Sequence, residues 1–388
     1  MKRLLCLAIG LPLVAPAAPA AAAAFTFTTL DVSGAVATFP TGINDAGQVI
    51  GNYTDAAGQN HGFLDTAGAI TTFDPTGSVG TYPTGINASG QITGAYTDTA
   101  GIDHGFVDTA GAFRTVDVAG SPGTEPIGID AAGNVVGYFF NSSQDLSAGQ
   151  VHAFDTVANI PPYLARFPLL LSVWSAVVGV NAAGEFTGLT SRTLFNNTFN
   201  PTSGFVGQGT QGFTFAVSGF AFTAGASINA SRQVTGSYGN NDGIVHGFLY
   251  NAPAGLFAGI DVGDLSVSVT TIDPVGSSYT NPTSINDPGQ ITGYYVDNVT
   301  QHGFFYDAGA MTVLDPAGSS FTQPVGINSA GDITGYYIDA HNKSHGFIAI
   351  LAADIAVPEA SSIALLSTAL TALWFLRRRR SVLGYIRS

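Results

Sequence analysis

Thr84-Gly85-Ile86-Asn87-Ala88-Ser89-Gly90-Gln91-Ile92-Thr93-Gly94-Ala95-Tyr96-Thr97-Asp98 decides the fold, because versions of it recur along the chain. The Gly-Ile-Asn motif, or a close variant, ends at Asn44, Asn87, Asp130, Asn181, Asn229, Asn286 and Asn328, with successive separations of 43, 43, 51, 48, 57 and 42 residues. Seven copies with a minimum period near 43 fit a repeat of four short strands. Each motif runs into a turn such as Asp45-Ala46-Gly47, Ala88-Ser89-Gly90 or Asp287-Pro288-Gly289, where glycine supplies the positive φ of a tight hairpin. The segment that follows, Gln91 to Asp98 or Gln290 to Tyr295, alternates its side chains and is rich in β-branched and aromatic residues, so it reads as β.

A third segment opens with His-Gly-Phe at His61, His104, His246, His302 and His345, as His152-Ala153-Phe154 in the third copy, and as Ser203-Gly204-Phe205 in the fourth. A fourth segment ends in aspartate: Thr71 to Asp74, Arg114 to Asp117, Thr270 to Asp273 and Thr312 to Asp315. Over about residues 25 to 350 these motifs resemble the HAF family of extracellular repeats, which implies a pattern and a destination but no reaction. The chain begins with a fourth-type segment, Thr28-Thr29-Leu30-Asp31, and the seventh copy stops after His345 to Ile350 without one. The two ends complement each other. The expected fold is therefore all-β, a seven-bladed β-propeller whose N-terminal strand closes the last blade and leaves no exposed sheet edge. An open β-repeat array, or solenoid, is the alternative.

In the second segment Ile92, Gly94 and Tyr96 share one face, as do Ile291, Gly293 and Tyr295, so a bare glycine lies between bulky neighbours. The expectation is that an aromatic ring from the facing sheet fills each gap, with Phe106, Phe248, Phe304 and Phe347 forming the core between blades. The repeat histidines His61, His104, His152, His246, His302 and His345 read as structural. Asp55, Asp98, Asp297 and Asp339 precede four of them by five or six residues, across the predicted hairpin, and a His–Asp bond there would hold each hairpin and raise the imidazole pKa. One histidine per blade is spread around a ring and cannot converge on a shared metal. His341 and His345 have zinc-like spacing but no evident third ligand. No Asp-x-Asp-x-Asp-Gly calcium loop is present, and turn chemistry accounts for the Asn and Asp of the turns, so no cofactor is expected, with calcium the one candidate.

The two ends of the chain carry addresses. Lys2 and Arg3 precede an apolar stretch from Leu4 to Val14 and an alanine-rich region with cleavage sites such as Ala18-Pro19-Ala20, which makes residues 1–24 a signal peptide. Cys6, the single cysteine, lies inside it, so the exported body has no thiol. At the other end, Val357, Pro358 and Glu359 precede an apolar run from Ser361 to Leu376, and Arg377, Arg378, Arg379 and Arg380 follow. Residues 357–388 resemble a PEP-CTERM sorting signal, with Ala360 where a second proline is usual. That resemblance implies processing by an exosortase-type enzyme and delivery to the envelope, cell surface or extracellular matrix of a Gram-negative bacterium. The run is somewhat short of the roughly 20 apolar residues of a spanning helix, and the arginines hold the tail cytoplasmic. A plain C-terminal membrane anchor is the alternative reading.

Between those ends, residues 25–356 form one expected domain with five basic residues (Arg114, Arg166, Arg192, Arg232 and Lys343) against 25 acidic ones, a formal charge of −20. So acidic a body repels nucleic acid and anionic polymers. No nucleophile elbow, phosphate loop or metal motif is present. Catalytic residues, if any, are expected where the repeat is broken, at Asn141 to Gln150, Arg192 to Thr202 and Ala252 to Leu265, with Glu125 and Glu185 as the glutamates and Asp145 or Asp264 as partners. Trp174 is the single tryptophan of the domain, sparse for a sugar-cleaving groove. The reading is a non-enzymatic binding or structural module, and the family resemblance adds association with exopolysaccharide or biofilm matrix. A propeller glycoside hydrolase or polysaccharide lyase, and an adhesion module with a protein ligand, are the alternatives. Non-repeat carboxylates clustered at one mouth of the ring would favour the enzyme, and a mouth lined by repeat residues the module.

Overall fold

The computed structural model describes residues 23–140, 151–155, 174–191, 194–195, 198–199, 202–208, 211–240, 242–253 and 265–352. The expected signal peptide up to residue 22, Asp145, Asp264, and Val357, Pro358, Glu359 and Arg377 to Arg380 of the expected sorting signal lie outside them. Among the described residues there is no helix, and so none long and apolar enough to cross a membrane.

The described chain is all-β. It opens with β1 (Phe25–Leu30) and then folds as successive antiparallel meanders. The first two are β2 (Ala37–Ile43), β3 (Val49–Thr54), β4 (Asn60–Thr66) and β5 (Ala69–Phe73), then β6 (Ser78–Ile86), β7 (Ile92–Asp98), β8 (Asp103–Thr109) and β9 (Ala112–Thr115). A third has β10 (Thr124–Ile129), β11 (Val135–Phe140) and β12 (Val151–Asp155). In the fourth, β13 (Trp174–Val180) and β14 (Glu185–Ser191) are followed by a small hairpin, β15 (Leu194–Phe195) with β16 (Thr198–Phe199), before β17 (Thr202–Gln208) and β18 (Gln211–Val217). Next come β19 (Phe222–Ile228), β20 (Gln233–Gly239) and β21 (Val245–Asn251). β22 (Leu265–Val267) runs back parallel to β18, and β23 (Thr270–Ile272) completes the β19–β21 meander. The last two sets are β24 (Ser277–Ile285), β25 (Ile291–Asp297), β26 (Thr300–Asp307) and β27 (Ala310–Val313), then β28 (Ser319–Ile327), β29 (Ile333–Asp339) and β30 (Ser344–Leu351). β1 lies antiparallel beside β30, from Phe25 opposite Leu351 to Leu30 opposite Gly346.

Each first-to-second-strand hairpin turns where the motif demands. Gly47, Gly90 and Gly289 have φ of 73°, 79° and 90°, and Arg232 takes the corresponding left-handed position in its copy at 60°. In five copies a buried threonine of the second strand finds a main-chain acceptor on the third: Thr93 Oγ1 donates to Phe106 O at 2.8 Å, Thr187 to Phe205 O at 2.8 Å, Thr235 to Phe248 O at 2.8 Å, Thr292 to Phe304 O at 2.9 Å and Thr334 to Phe347 O at 3.0 Å.

The core phenylalanines sit as the sequence predicts. Phe63, Phe106, Phe205, Phe248, Phe304 and Phe347 are at most 1% exposed. The glycine gaps are filled differently from expectation. A Cβ on Gly51, Gly94 or Gly335 would come within 2.7, 3.0 and 2.9 Å of the rings of Phe63, Phe106 and Phe347. Those rings belong to the adjacent strand of the same sheet, directly cross-strand from the glycine, and not to a facing sheet. The main chain of the first strand, at Phe39, Tyr82 and Gln323, presses on the same points, so the gap also admits the β-bulge that follows those residues. Contact between sheets is made elsewhere: a Cβ on Gly105, Gly247, Gly303 or Gly346 would stand 2.8 to 2.9 Å from the ring of Pro126, Pro282, Pro324 or Pro40. The glycine of His-Gly-Phe thus seats the proline of another sheet.

Deleting residues 25–31 should uncover the edge of β30 and remove the contacts of Phe25 with Phe305 (5.2 Å) and Phe27 with Phe347 (5.7 Å). The expected outcome is aggregation on size exclusion and a broad, low-temperature melt by circular dichroism; a sharp melt equal to that of the parent would show that β1 contributes little.

Candidate functional site

The first strands of the successive meanders border common cavities. One cavity of about 400 Å³ is bounded by Thr41, Thr84, Ile127, Val178, Ala226, Thr283 and Val325 with their strand neighbours. A second of about 240 Å³ lies at the end where the Gly-Ile-Asn motifs stop.

That end is built from one repeated device. The side chain of Asn87 accepts from the amides of Ser89 (3.1 Å) and Gln91 (2.9 Å), which shapes the turn. Its Nδ2 donates to Gln91 Oε1 at 2.9 Å and to the carbonyl of Asp130, on the next sheet, at 3.0 Å. Asn44 reaches Asn87 O at 3.1 Å, Asn181 reaches Asn229 O at 3.0 Å, Asn229 reaches Asn286 O at 3.0 Å and Asn286 reaches Asn328 O at 2.9 Å. Asn328 reaches Asn44 O at 3.4 Å. Where the third copy has Asp130 no amide can donate, and the Ala131 amide bonds Ala182 O at 3.2 Å instead. All these Asn and Asp side chains are buried. The sequence reading stopped at turn chemistry; the bond from sheet to sheet was missed, and the identical phase of every Asn was the signal for it.

Five residues before each Asn, about 15 Å further along the strand, stand Phe39, Tyr82, Glu125, Ala176, Ala224, Asn281 and Gln323. Their cross-strand partners are Asn52, Ala95, Tyr138, Leu189, Ser237, Tyr294 and Tyr336. These positions change from copy to copy, whereas the opposite end of the strand keeps Asn in every copy but the third. Glu125 is pushed up to about 7 by burial, with the charge of Asp103 adding to it, and the Tyr138 phenol is raised by burial and then by Glu125.

Glu185 does not break the repeat. It occupies the position of Gln48, Gln91, Gln233 and Gln290, four residues after the motif Asn, where Asn181 Nδ2 donates to it at 2.9 Å. It is 4% exposed and its Oε1 accepts from Arg232 Nε at 2.6 Å. A carboxylate so occupied has no free face for substrate.

His61, His104, His302 and His345 each lie between two carboxylates, and His246 pairs with Asp273. Their shorter bond is not to the aspartate of the preceding hairpin but to that of the fourth segment: Nδ1 of His61, His104, His246 and His302 lies 2.6 to 2.8 Å from Asp74, Asp117, Asp273 and Asp315. The expected partners Asp55, Asp98 and Asp297 stand on the Nε2 side of His61, His104 and His302 at 3.5, 3.4 and 3.2 Å. His345 takes Asp31, the residue after β1, at 2.7 Å, with Asp339 at 3.5 Å. Tyr53, Tyr96, Tyr295 and Tyr337 stack on these imidazoles at 5.1 to 5.2 Å. His152 belongs to β12, opposite Phe139. The Asp74 bond raises the His61 pKa against the opposing effect of burial; for His104 and His302 burial pulls down but the bonds and charges of Asp117 and Asp315 prevail. Asp339 is held down to about 2 by the Lys343 and His341 amides and by His345. His341 and His345 both lean on Asp339, and among the described residues no three His, Cys, Asp or Glu side chains converge as a metal would require.

No protein-family model and no curated relative matches the sequence. Among solved structures, acylaminoacyl peptidase from Pyrococcus horikoshii aligns over 83% of this chain and 53% of its own, at 9% identity and a TM-score of 0.52. The chain thus spans about half the length of that peptidase, and the likeness is one of fold alone. The six-bladed β-propeller lectin of Aleuria aurantia aligns at 10% identity over 83% and 93% of the two chains, with a TM-score of 0.41. TolB from Acinetobacter baumannii aligns at 11% over 78% and 79%, with a TM-score of 0.38.

Asn87→Ala leaves two turn amides and the Asp130 carbonyl unpaired and should cost about 2–4 kcal/mol in urea unfolding, whereas Asn87→Asp, which keeps the turn bonds as Asp130 does, should cost less. The His61, His104 and His302 pKa values are raised, so the stability from these pairs is whole below 6.5 and fades as pH climbs through the folded values; the lowered Asp55, Asp98 and Asp339 lose theirs as pH falls from 3.8 through the folded values. The melting temperature should therefore peak between pH 3.8 and 6.5 and fall on the alkaline side, and His61→Gln with His302→Gln should flatten the alkaline limb.

Proposed function

We propose that the chain is an exported, closed seven-bladed β-propeller that serves as a binding module for exopolysaccharide at the cell surface or in a biofilm matrix. Closure is supported by four contacts between the first and last repeats: β1 beside β30, His345 on Asp31, Gly346 against Pro40, and Asn328 on Asn44. The observation that carries the binding reading is the contrast between the mouths. A fold that keeps Asn at one end of the first strand in six of seven copies leaves the other end free to vary, and there the side chains of different repeats meet. Export rests on the signal peptide and the PEP-CTERM-like tail, with an exosortase-type enzyme as processing partner.

Titration of the secreted protein with its host's exopolysaccharide should give saturable heat that ends at equilibrium. Absence of heat with and without calcium would remove polysaccharide as the ligand. A second reading, a glycoside hydrolase or lyase, is favoured by Glu125 alone, whose carboxyl near 7 beside Asp103 has the protonation of a general acid. On that reading heat continues after mixing, and Glu125→Gln abolishes it without changing the melt.

A further inference from the structure

Five aromatic side chains gather at the variable mouth on the first strands and their partners. Phe39 of β2 meets Tyr336 of β29 edge-on at 5.2 Å, and Phe321 of β28 stacks on the same tyrosine at 5.8 Å and 27°. Tyr279 of β24 and Tyr294 of β25 stack at 6.0 Å and 14°, and β25 packs against β28, which carries Phe321. All five are half-buried, unlike the core phenylalanines.

The fold does not require a ring at any one of these positions. At those of Tyr294 and Tyr336 other copies place Asn52, Ala95, Tyr138, Leu189 and Ser237; at that of Phe39, Tyr82, Glu125, Ala176 and Ala224; at those of Tyr279 and Phe321, Ala37, Gly80, Gly123, Trp174 and Phe222. Five copies thus carry one ring among the three positions, whereas the sixth and seventh carry two, and the second ring is surface that the packing of the other copies does without. Amides are set among the rings: Tyr336 Oη donates to Gln323 Oε1 at 3.0 Å, Gln301 Nε2 donates to Thr322 O at 3.1 Å and reaches Gln323 Oε1 at 3.5 Å, and Asn281 stands cross-strand from Tyr294.

We propose that this cluster is a subsite for an uncharged saccharide, whose C–H faces lie on the tyrosine and phenylalanine rings and whose hydroxyls exchange hydrogen bonds with Gln323, Gln301 and Asn281. The inference rests on the polysaccharide-binding reading and narrows it. None of these side chains is a cation, and the domain carries a formal charge of −20, so uronate or sulfate polymers are repelled. The Tyr279 phenol, pushed up to about 12 by burial and by Tyr294, and the Tyr336 phenol, raised by burial, stay protonated donors across the physiological range.

The test uses the full chain in a non-glycosidic detergent, titrated with laminarin and dextran as neutral probes, alginate as an acidic one, and the host exopolysaccharide. A neutral probe should bind saturably and perturb the tyrosine near-ultraviolet spectrum. Tyr294→Ala with Tyr336→Ala should weaken that binding about tenfold, and the exposed-turn change Val299→Ser should leave it unaltered. Unchanged affinity in the double variant, a silent tyrosine spectrum on binding, or preference for alginate would overturn the subsite while leaving polysaccharide binding intact. The spectrum of the unmutated chain decides the matter even if the double variant misfolds. Failure to bind any of the four polymers would overturn the parent reading and the subsite together.

Discussion

The amide of one asparagine reaching the carbonyl of the next sheet is the contact on which the rest of this structure depends. Sheets that meet face to face through apolar side chains are free to slide, because dispersion and burial have little directional preference. A buried donor and acceptor at one fixed height remove that freedom, since misalignment leaves both unpaired. The same side chain shapes its own hairpin, so turn geometry and sheet spacing are set by one residue. Its phase is the same in Asn44, Asn87, Asn181, Asn229, Asn286 and Asn328, and Asp130 shows how the chain compensates where the donor is lost.

A second device holds the strands of five copies, those of His61, His104, His246, His302 and His345. Histidine on the third strand joins the aspartate beyond the fourth and faces the aspartate of the preceding hairpin, with a tyrosine ring stacked on it. For His345 the fourth-strand aspartate is Asp31, at the opposite end of the chain. The terminal strand is thus held by the same chemistry as any internal one, a charge-assisted pair in partial solvent. Repetition makes the outer layer uniform and removes it from consideration as a site.

Apart from the insertions at residues 141–150, 192–202 and 252–265, the copies vary most at the end of the first strand opposite the Asn. Glu125 with Tyr138 lies on one part of it, and the aromatic and amide cluster of Phe39, Tyr279, Tyr294, Phe321 and Tyr336 on another. Glu185, conspicuous in the sequence as one of few glutamates, is by contrast a repeat residue that balances Arg232. Chemical novelty in a repeat protein is best judged against its own copies.

Much of this was legible in the chain. Period, strand content, turn glycines and buried phenylalanines follow from local rules, since a hairpin's φ angles and a strand's alternation are set by residues a few positions apart. What escaped the sequence lies across greater distances. Asp74 is 13 residues from His61 and Asp273 is 27 from His246, so the nearer hairpin aspartates seemed the natural partners. The glycine gaps were assigned to a facing sheet because alternation names the face of a side chain but not which neighbour fills it. The sequence by itself determined the repeat, its register and the β character of each unit. Only the tertiary structure decided which variable residues share a mouth, because Phe39 and Tyr336 stand at opposite ends of the chain and meet only when the first and last repeats do.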